Sequence, residues 1–200
     1  MFFQHMFGLI YHPKQEWDSI REEKYTLGYL YKHHILWLAA IPALSLFIGT
    51  TQMGWSIAGT NYVKLTVLSA IPIAAAFYIA LMVGVGLMAW GVFWMEKTYG
   101  ADASFDRCMV LTTFTATPLF MAGLAGLLPI LWFDVFVVLG AVSYTVYLLY
   151  VGVPIVMRIP EERGFMFSTS VLTVGLCLLV GGLAMTAVLW GSGLGPVFTR

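Results

Sequence analysis

The sequence predicts an all-α integral membrane protein, built as a bundle of five transmembrane helices with a short amphipathic N-terminal segment. Of its 200 residues, 60% are hydrophobic and only 10% are charged, which leaves too little polar surface for a soluble domain. Five long apolar stretches cover most of the chain, at approximately 35–51, 64–94, 108–128, 130–153 and 168–191. About 20 apolar residues at ~1.5 Å each cross a ~30 Å hydrocarbon core, where a helix satisfies its own backbone hydrogen bonds.

The Lys and Arg residues between these stretches predict the orientation of the bundle. Eight of the ten fall on one side of a five-helix chain and two on the other: Lys14, Arg21, Lys24, Lys32, Lys97, Arg107, Arg158 and Arg163 against Lys64 and Arg200. The positive-inside rule therefore predicts a cytoplasmic N-terminus and a C-terminus on the opposite, periplasmic side. The formal net charge is zero, so we expect no nucleic-acid partner.

Residues 1–34 are predicted to form a cytoplasmic or interfacial segment, followed by the membrane domain at 35–200. Apolar residues recur in this segment at helical spacing: Phe3, Met6, Phe7 and Ile10, then Trp17 and Ile20. Pro13 suits the first turn of a second helix. We expect an amphipathic helix lying on the inner leaflet. The alternative is an arm that binds a soluble partner.

All four histidines belong to this segment: His5, His12, His33 and His34. Such clustering raises the hypothesis of a zinc or copper site. His12 precedes a proline, which disfavours helical geometry, and the adjacent His33 and His34 point apart on a helix. We therefore prefer a role as polar anchors at the interface and expect no cofactor.

Small residues in the apolar stretches predict where helices approach closely. The candidates for packing, within the chain or between copies, are Gly84, Gly91, Gly123, Gly126 and Gly181. Glycine allows close backbone contact between membrane helices, so the pattern also makes a homo-oligomer a candidate.

Charged and hydroxyl residues inside the apolar stretches are the candidates for a transport function. Asp134 lies about one turn into the fourth stretch and Lys64 opens the second at the same side, so we expect an interfacial ion pair between them rather than a functional carboxylate. Thr113, Thr117 and Pro118, together with Asp134, form a candidate polar pathway along the third and fourth helices. Threonine hydroxyls in apolar helices more often bond back to the preceding turn.

Motifs of catalysis are missing from the sequence, which contains no HExxH, no GxSxG and no phosphate-binding loop. Asp134 has no second membrane-embedded carboxylate to pair with. The sequence therefore predicts that the protein is not an enzyme.

Several segments resemble the Ypt-interacting-protein (Yip) family. They are His33-His34 leading into LWLAAIPALSLFIGTTQMGW (36–55), CMVLTTFTATPLF (108–120), YTVYLLYVGVP (144–154) and GFMFSTSVL (164–172). The resemblance implies a five-helix Yip domain in the inner membrane of a bacterium, with a cytoplasmic N-terminus. Eukaryotic members are associated with Rab GTPases and vesicle membranes. The resemblance carries over no catalytic residue.

Two classes of function remain open from the sequence. The first is a non-catalytic organiser of the inner membrane, which contacts membrane lipids and recruits a protein partner of unknown identity at the cytoplasmic face. The second is a small-solute or ion transporter that uses the polar faces of the third and fourth helices. The nearly charge-free apolar stretches favour the first, because coupled transport usually needs an ionisable site.

Overall fold

The computed structural model describes residues 2–199, and this part of the chain is helical with no β-strand. Two short helices come first, α1 (Phe2–Tyr11) and α2 (Pro13–Glu22). Five long helices follow: α3 (Leu27–Met53), α4 (Val67–Tyr99), α5 (Phe105–Leu127), α6 (Leu131–Met157) and α7 (Glu161–Gly193). Each of these five is long and apolar enough to cross a membrane, which confirms the predicted fold class.

Helix α5 forms the centre of the bundle and packs against α3, α4 and α6. It runs parallel to α3, because the Leu27 N–H donates to Asp106 Oδ1 at one end (3.0 Å) while Gly126 lies against Leu46 near the other. Helix α7 packs on the outside against α4 and α6. We call the two ends of the bundle the Arg107 end and the Lys64 end, after a basic residue at each.

Helix α3 begins at Leu27, well before the apolar stretch that starts near residue 35. The early start has a polar cause. The Thr26 side chain accepts a hydrogen bond from the Tyr29 N–H (3.4 Å), and Asp106 accepts the N–H of Leu27. These contacts satisfy backbone donors that the first turn of a helix leaves without partners. Hydropathy does not detect them, so the apolar stretch underestimates the helix.

Helices α1 and α2 form a hairpin that packs into the bundle. The two helices contact each other, and α2 lies along α6. Leu9, Trp17 and Ile20 are almost completely buried and belong to the same hydrophobic core as α5. The expectation of a helix lying on the inner leaflet is therefore wrong for Trp17 and Ile20, which protein covers. Ile10 is exposed, and the side chains of Phe3, Met6 and Phe7 lie outside the described part of the structure.

The connections at the Lys64 end are tied together by backbone hydrogen bonds. The N–H and C=O groups of Trp55 and Val63 pair with each other at 2.7 and 2.9 Å. Ser56 donates to the Pro129 carbonyl and accepts from the Leu131 N–H, both at 3.0 Å. These bonds fix the connection after α3 against the start of α6.

Candidate functional site

A cluster of ionisable and aromatic side chains lies where the N-terminal hairpin meets the bundle. His5 of α1 is buried, and its two ring nitrogens face two carboxylates. Nδ1 is in contact with Glu16 Oε1, and Nε2 lies 3.1 Å from Glu23 Oε1. Both nitrogens carry a proton only in the imidazolium form, so the arrangement suits a cation held between two anions.

Phe114, near the middle of α5, is the apolar side chain against which this cluster packs. Three rings pack against it, with centroid distances of 5.9 Å to His5, 5.7 Å to Tyr25 and 5.4 Å to His34. The His5 and His34 contacts are edge-on, the geometry that places a positive ring edge against the negative face of an aromatic ring. The hairpin, the start of α3 and the central helix therefore meet at one side chain.

Tyr25 contacts both Phe114 and the carboxylate of Glu23. Its hydroxyl donates to Glu23 Oε2 at 2.5 Å, while the other oxygen of the same carboxylate faces His5. Burial raises the pKa of Tyr25, and the hydrogen bond to Glu23 raises it further. The phenol therefore stays protonated and remains a donor to Glu23 across the physiological range.

Tyr144 of α6 anchors the far end of α1. Its hydroxyl lies 2.6 Å from the Leu9 carbonyl oxygen and 3.2 Å from that of Ile10. The last carbonyls of a helix have no partner within the helix, and here a side chain from the middle of α6 donates to them. The hairpin is thus held in the bundle by a polar contact as well as by its apolar face.

The four histidines do not converge on a common point, although two of them, His5 and His34, both pack against Phe114. His34 is buried against Phe114, whereas the adjacent His33 is exposed and packs on Tyr29, with ring centroids 4.6 Å apart. His12 is exposed in the turn between α1 and α2. Within the part of the chain that the structure describes, no group of three or more His, Cys, Asp or Glu side chains is arranged to hold a metal ion. The metal hypothesis has no support in this geometry.

The expected ion pair between Lys64 and Asp134 is not formed. Neither residue takes part in any ion pair that the described residues make, and the Lys64 side chain is exposed. Asp134 Oδ1 is buried without a hydrogen-bond partner. Asp134 lies in the first turn of α6, where the positive end of the helix dipole favours an acidic residue without a cation nearby. Both residues lie near the Lys64 end of the bundle, but their side chains do not form a pair.

The residues of the candidate polar pathway are surrounded by protein. Thr113 and Thr117 are buried, and Pro118 is half-buried. The Thr117 hydroxyl bonds back to the Thr113 carbonyl at 3.3 Å. Two cavities near the Lys64 end, of about 140 and 370 Å³, are lined by none of these residues and not by Asp134. The pathway remains a prediction, and neither of these two cavities supports it.

The five candidate packing glycines fall into two groups. Gly91 approaches Val174 of α7, Gly123 approaches Pro42 of α3, and Gly126 approaches Leu46, each so closely that a Cβ would touch its neighbour. A Cβ on Gly84 or Gly181 would meet nothing within 4 Å. The first group therefore packs helices within the chain, and the second is free for contacts outside it.

One buried carboxylate, that of Glu96, was not predicted from the sequence. Glu96, at the end of α4, is almost completely buried, and its Oε2 accepts the Ala103 N–H at 2.9 Å. The bond closes the short connection to α5, in which Gly100 has a φ of 73°. Gly100 is the sequence signal for this turn, because a glycine in the left-handed conformation after a helix often reverses the chain.

The five apolar helices, with a hairpin packed into their core, describe a membrane domain, and a family comparison identifies which one. The Yip1 domain model matches residues 7–182, so the chain belongs to the Yip1 domain family. It is 40% identical over 189 residues to the inner membrane protein YohC of Escherichia coli K12, covering 94% of this chain and 97% of that relative. YohC of Escherichia coli O6:H1 gives the same values.

No solved structure matches the chain. The relatives are inner membrane proteins by name, and the five apolar helices agree with that location. The protein is therefore a multi-pass inner-membrane protein of the Yip1 domain family.

Proposed function

We propose that the protein is a non-catalytic organiser of the inner membrane, which recruits protein partners at its cytoplasmic face. The observation that carries the proposal is the filled interior around α5. Cys108 to Thr115 form an unbroken buried run in that helix, and the hairpin closes the bundle at the Arg107 end. A protein with this interior offers its surfaces for binding rather than a path for a solute.

The recruiting surface in this proposal is the Arg107 end, which carries the hairpin and the α4–α5 and α6–α7 connections. The test is crosslinking in cells from a photoreactive residue placed at Asp102, which is exposed in the α4–α5 connection. The matched control is Asn61, exposed in the connection at the Lys64 end. We expect discrete protein adducts from position 102 and none from position 61. Equal adducts from both positions, or none from either, would contradict the proposal.

Self-association is the second part of the proposal and uses the outward face of α7. Cys177 and Gly181 lie one helical turn apart, both exposed, and residues at this spacing share a face. Gly84 and Gly181 have open space where a neighbouring helix would approach. A membrane-permeable bis-maleimide should therefore link two copies through Cys177. Cys177→Ala is the control, since Cys108 is buried. A monomer band unchanged by the reagent would contradict self-association through this face.

A transporter is the second candidate, and one observation favours it. The hydroxyls of Thr113 and Thr115 on α5 and of Thr145 on α6 are buried without partners, and buried polar groups normally find one. Waters entering between α5 and α6 would satisfy them. Solute flux in proteoliposomes, compared between the wild type and Asp134→Asn, separates the candidates. Flux that disappears in a folded variant would favour transport over the organiser.

A further inference from the structure

The turn of the N-terminal hairpin lies deep in the bundle rather than at its end. The hydroxyl that contacts the Leu9 and Ile10 carbonyls belongs to Tyr144, the central residue of α6, a helix of 27 residues. At ~1.5 Å per residue α6 is about 40 Å long, so Tyr144 lies about 20 Å from either end. The end of α1, at Tyr11, is therefore close to the middle of the bundle.

A second depth marker, on α5, agrees with the first. His5 packs on Phe114 with the ring centroids 5.9 Å apart, and Phe114 lies about 14 Å from the start of α5. Helix α1 runs away from the Arg107 end, because the chain returns through α2 to the start of α3, which lies at that end. Ile10 is therefore about 8 Å farther from the Arg107 end than His5.

The hydrocarbon core of a bilayer covers the depth of this turn. That core is about 30 Å thick, whereas α6 is about 40 Å long. For any placement that keeps the core within α6, both surfaces of the core are at least ~10 Å from Tyr144. The turn between α1 and α2 therefore lies at the depth of the acyl chains and not at the depth of the headgroups.

The backbone of the turn is suited to a medium without water. A single residue, His12, separates the two helices. Its N–H donates to the Gly8 carbonyl at 2.8 Å, and its carbonyl accepts the Glu16 N–H at 3.0 Å. Pro13 has no N–H to satisfy, and the Tyr144 hydroxyl faces the last carbonyls of α1. Backbone groups without partners are costly in hydrocarbon, and here protein atoms bind these groups.

The outer surface of the turn is continuous with the lipid-facing side of α6. Ile10 is 54% exposed and Tyr11 is 73% exposed. The ring of Tyr144 lies 5.7 Å from that of Tyr147, which is 45% exposed on α6. His12 is the exposed polar residue of the turn, and tyrosine and histidine rings both present an apolar body with a polar tip. Lipid that covers the middle of α6 therefore also reaches the turn.

The charged residues of α2 lie nearer the Arg107 end than the turn does. Trp17 packs on Gly152, which is about 8 Å from the end of α6 at that side. Asp18 forms an ion pair within α2 at 3.2 Å. Lys14 and Gln15 are exposed within one turn of Trp17, and a lysine keeps its stem in apolar surroundings while its ammonium group reaches the headgroups. These residues therefore lie between the turn and the headgroups.

We propose that the N-terminal hairpin is a re-entrant membrane element, whose turn at residues 11–13 lies among the acyl chains of the leaflet at the Arg107 end. Both helices of the hairpin then occupy that leaflet alone. An interfacial helix, in contrast, lies along the membrane surface and does not reach this depth. The open end of the hairpin stays at the proposed recruiting surface, and the insertion of the turn does not depend on whether the protein recruits partners.

The experiment attaches a bimane fluorophore to single cysteines of the full-length protein in lipid bilayers. The background is Cys177→Ala, in which Cys108 stays buried. Tyr11→Cys probes the turn, and Glu22→Cys, exposed at the other end of α2, is the matched control. Phospholipids brominated in the middle of the acyl chains should quench the probe at position 11 more strongly than the probe at position 22. Aqueous iodide should give the opposite order, and the emission at position 11 should be shifted to shorter wavelength.

Two outcomes would contradict insertion into lipid. Iodide quenching at position 11 as strong as at position 22 would place the turn in water. Weak quenching of position 11 by both reagents would mean that protein, such as a second copy of the chain, covers the turn. If Tyr11→Cys does not fold, Ile10→Cys makes the same comparison from the neighbouring exposed position. Crosslinking from Asp102 tests recruitment separately, so the failure of either proposal leaves the other intact.

Discussion

The indole ring of Trp17 in α2 lies directly over Gly152 in α6. Trp17 is completely buried, and a Cβ built on Gly152 would come within 2.6 Å of the ring. The absence of a side chain at position 152 is therefore what allows the hairpin to lie flat along α6. The contact joins the N-terminal segment to a transmembrane helix through a large residue and a glycine.

Gly152→Ala should destabilise the protein by about 1–3 kcal/mol, because the methyl group displaces a large ring in a packed core. Gly140→Ala is the matched control on the same helix, since a Cβ there meets nothing within 4 Å. That control should be neutral or slightly stabilising, because alanine favours a helix over glycine. Thermal unfolding in detergent measures both. A Gly152→Ala melting temperature equal to that of Gly140→Ala would show that the indole ring is free to move.

Tyr144→Phe should loosen α1 without disturbing α6. The variant removes the hydroxyl that donates to the Leu9 and Ile10 carbonyls, at a cost of about 0.5–1.5 kcal/mol. Hydrogen exchange of the α1 amides should become faster, while exchange in α6 stays unchanged. Tyr147→Phe is the control, because no hydrogen bond of the Tyr147 hydroxyl is found among the described residues. Equal exchange in the two variants would argue against a role for the Tyr144 hydroxyl.

His5 and Glu16 should show a favourable coupling in a double-mutant cycle of His5→Gln and Glu16→Gln. Both side chains are mostly buried, and a hydrogen bond to a charged group is worth about 1.5–3 kcal/mol. The corresponding cycle with Glu23→Gln should give a smaller coupling, since that carboxylate is 38% exposed and lies 3.1 Å away. Chemical unfolding in detergent supplies the free energies. Additive effects at both carboxylates would mean that His5 is held by Phe114 alone.

Lys64→Met and Asp134→Leu should change the stability additively, within about 0.3–0.5 kcal/mol, as expected for residues that do not touch. The ion pair expected from the sequence would make the two effects non-additive. In the structure the two side chains are unpaired, so that expectation no longer holds. Melting temperatures of the two single variants and the double variant decide the question. If the double variant loses clearly less stability than the two single variants together, the ion pair between Lys64 and Asp134 does form.

The orientation in the membrane is predicted from the distribution of Lys and Arg alone. Alkaline phosphatase fused after residue 200 should be active, and a fluorescent protein fused at the same position should be dark, because the C-terminus is expected in the periplasm. Fusions in the α4–α5 connection at Asp102 should behave in the opposite way. Bright fluorescence at the C-terminus would reverse the predicted orientation and place the hairpin outside.

The hairpin and the ion pair show why some features of this protein could not be predicted. Spacing placed Trp17 and Ile20 on one helical face correctly, yet spacing does not reveal whether lipid or protein covers that face. Lys64 and Asp134 were assigned the same depth, but depth leaves the rotation of each helix open. Both errors concern side chains of separate elements, whose relative positions depend on packing throughout the bundle.

The sequence by itself determined the five transmembrane helices, because in a hydrocarbon solvent the length of an apolar run and the need to satisfy the backbone leave one solution. It also placed His33 and His34 on different faces, since adjacent helical residues diverge. Only the tertiary structure decided that Phe114 gathers His5, Tyr25 and His34, that Gly123 meets Pro42, and that the segment after α7 returns to Lys64. These contacts join residues far apart in the chain, and their energies depend on shapes that fit together only once the helices have packed.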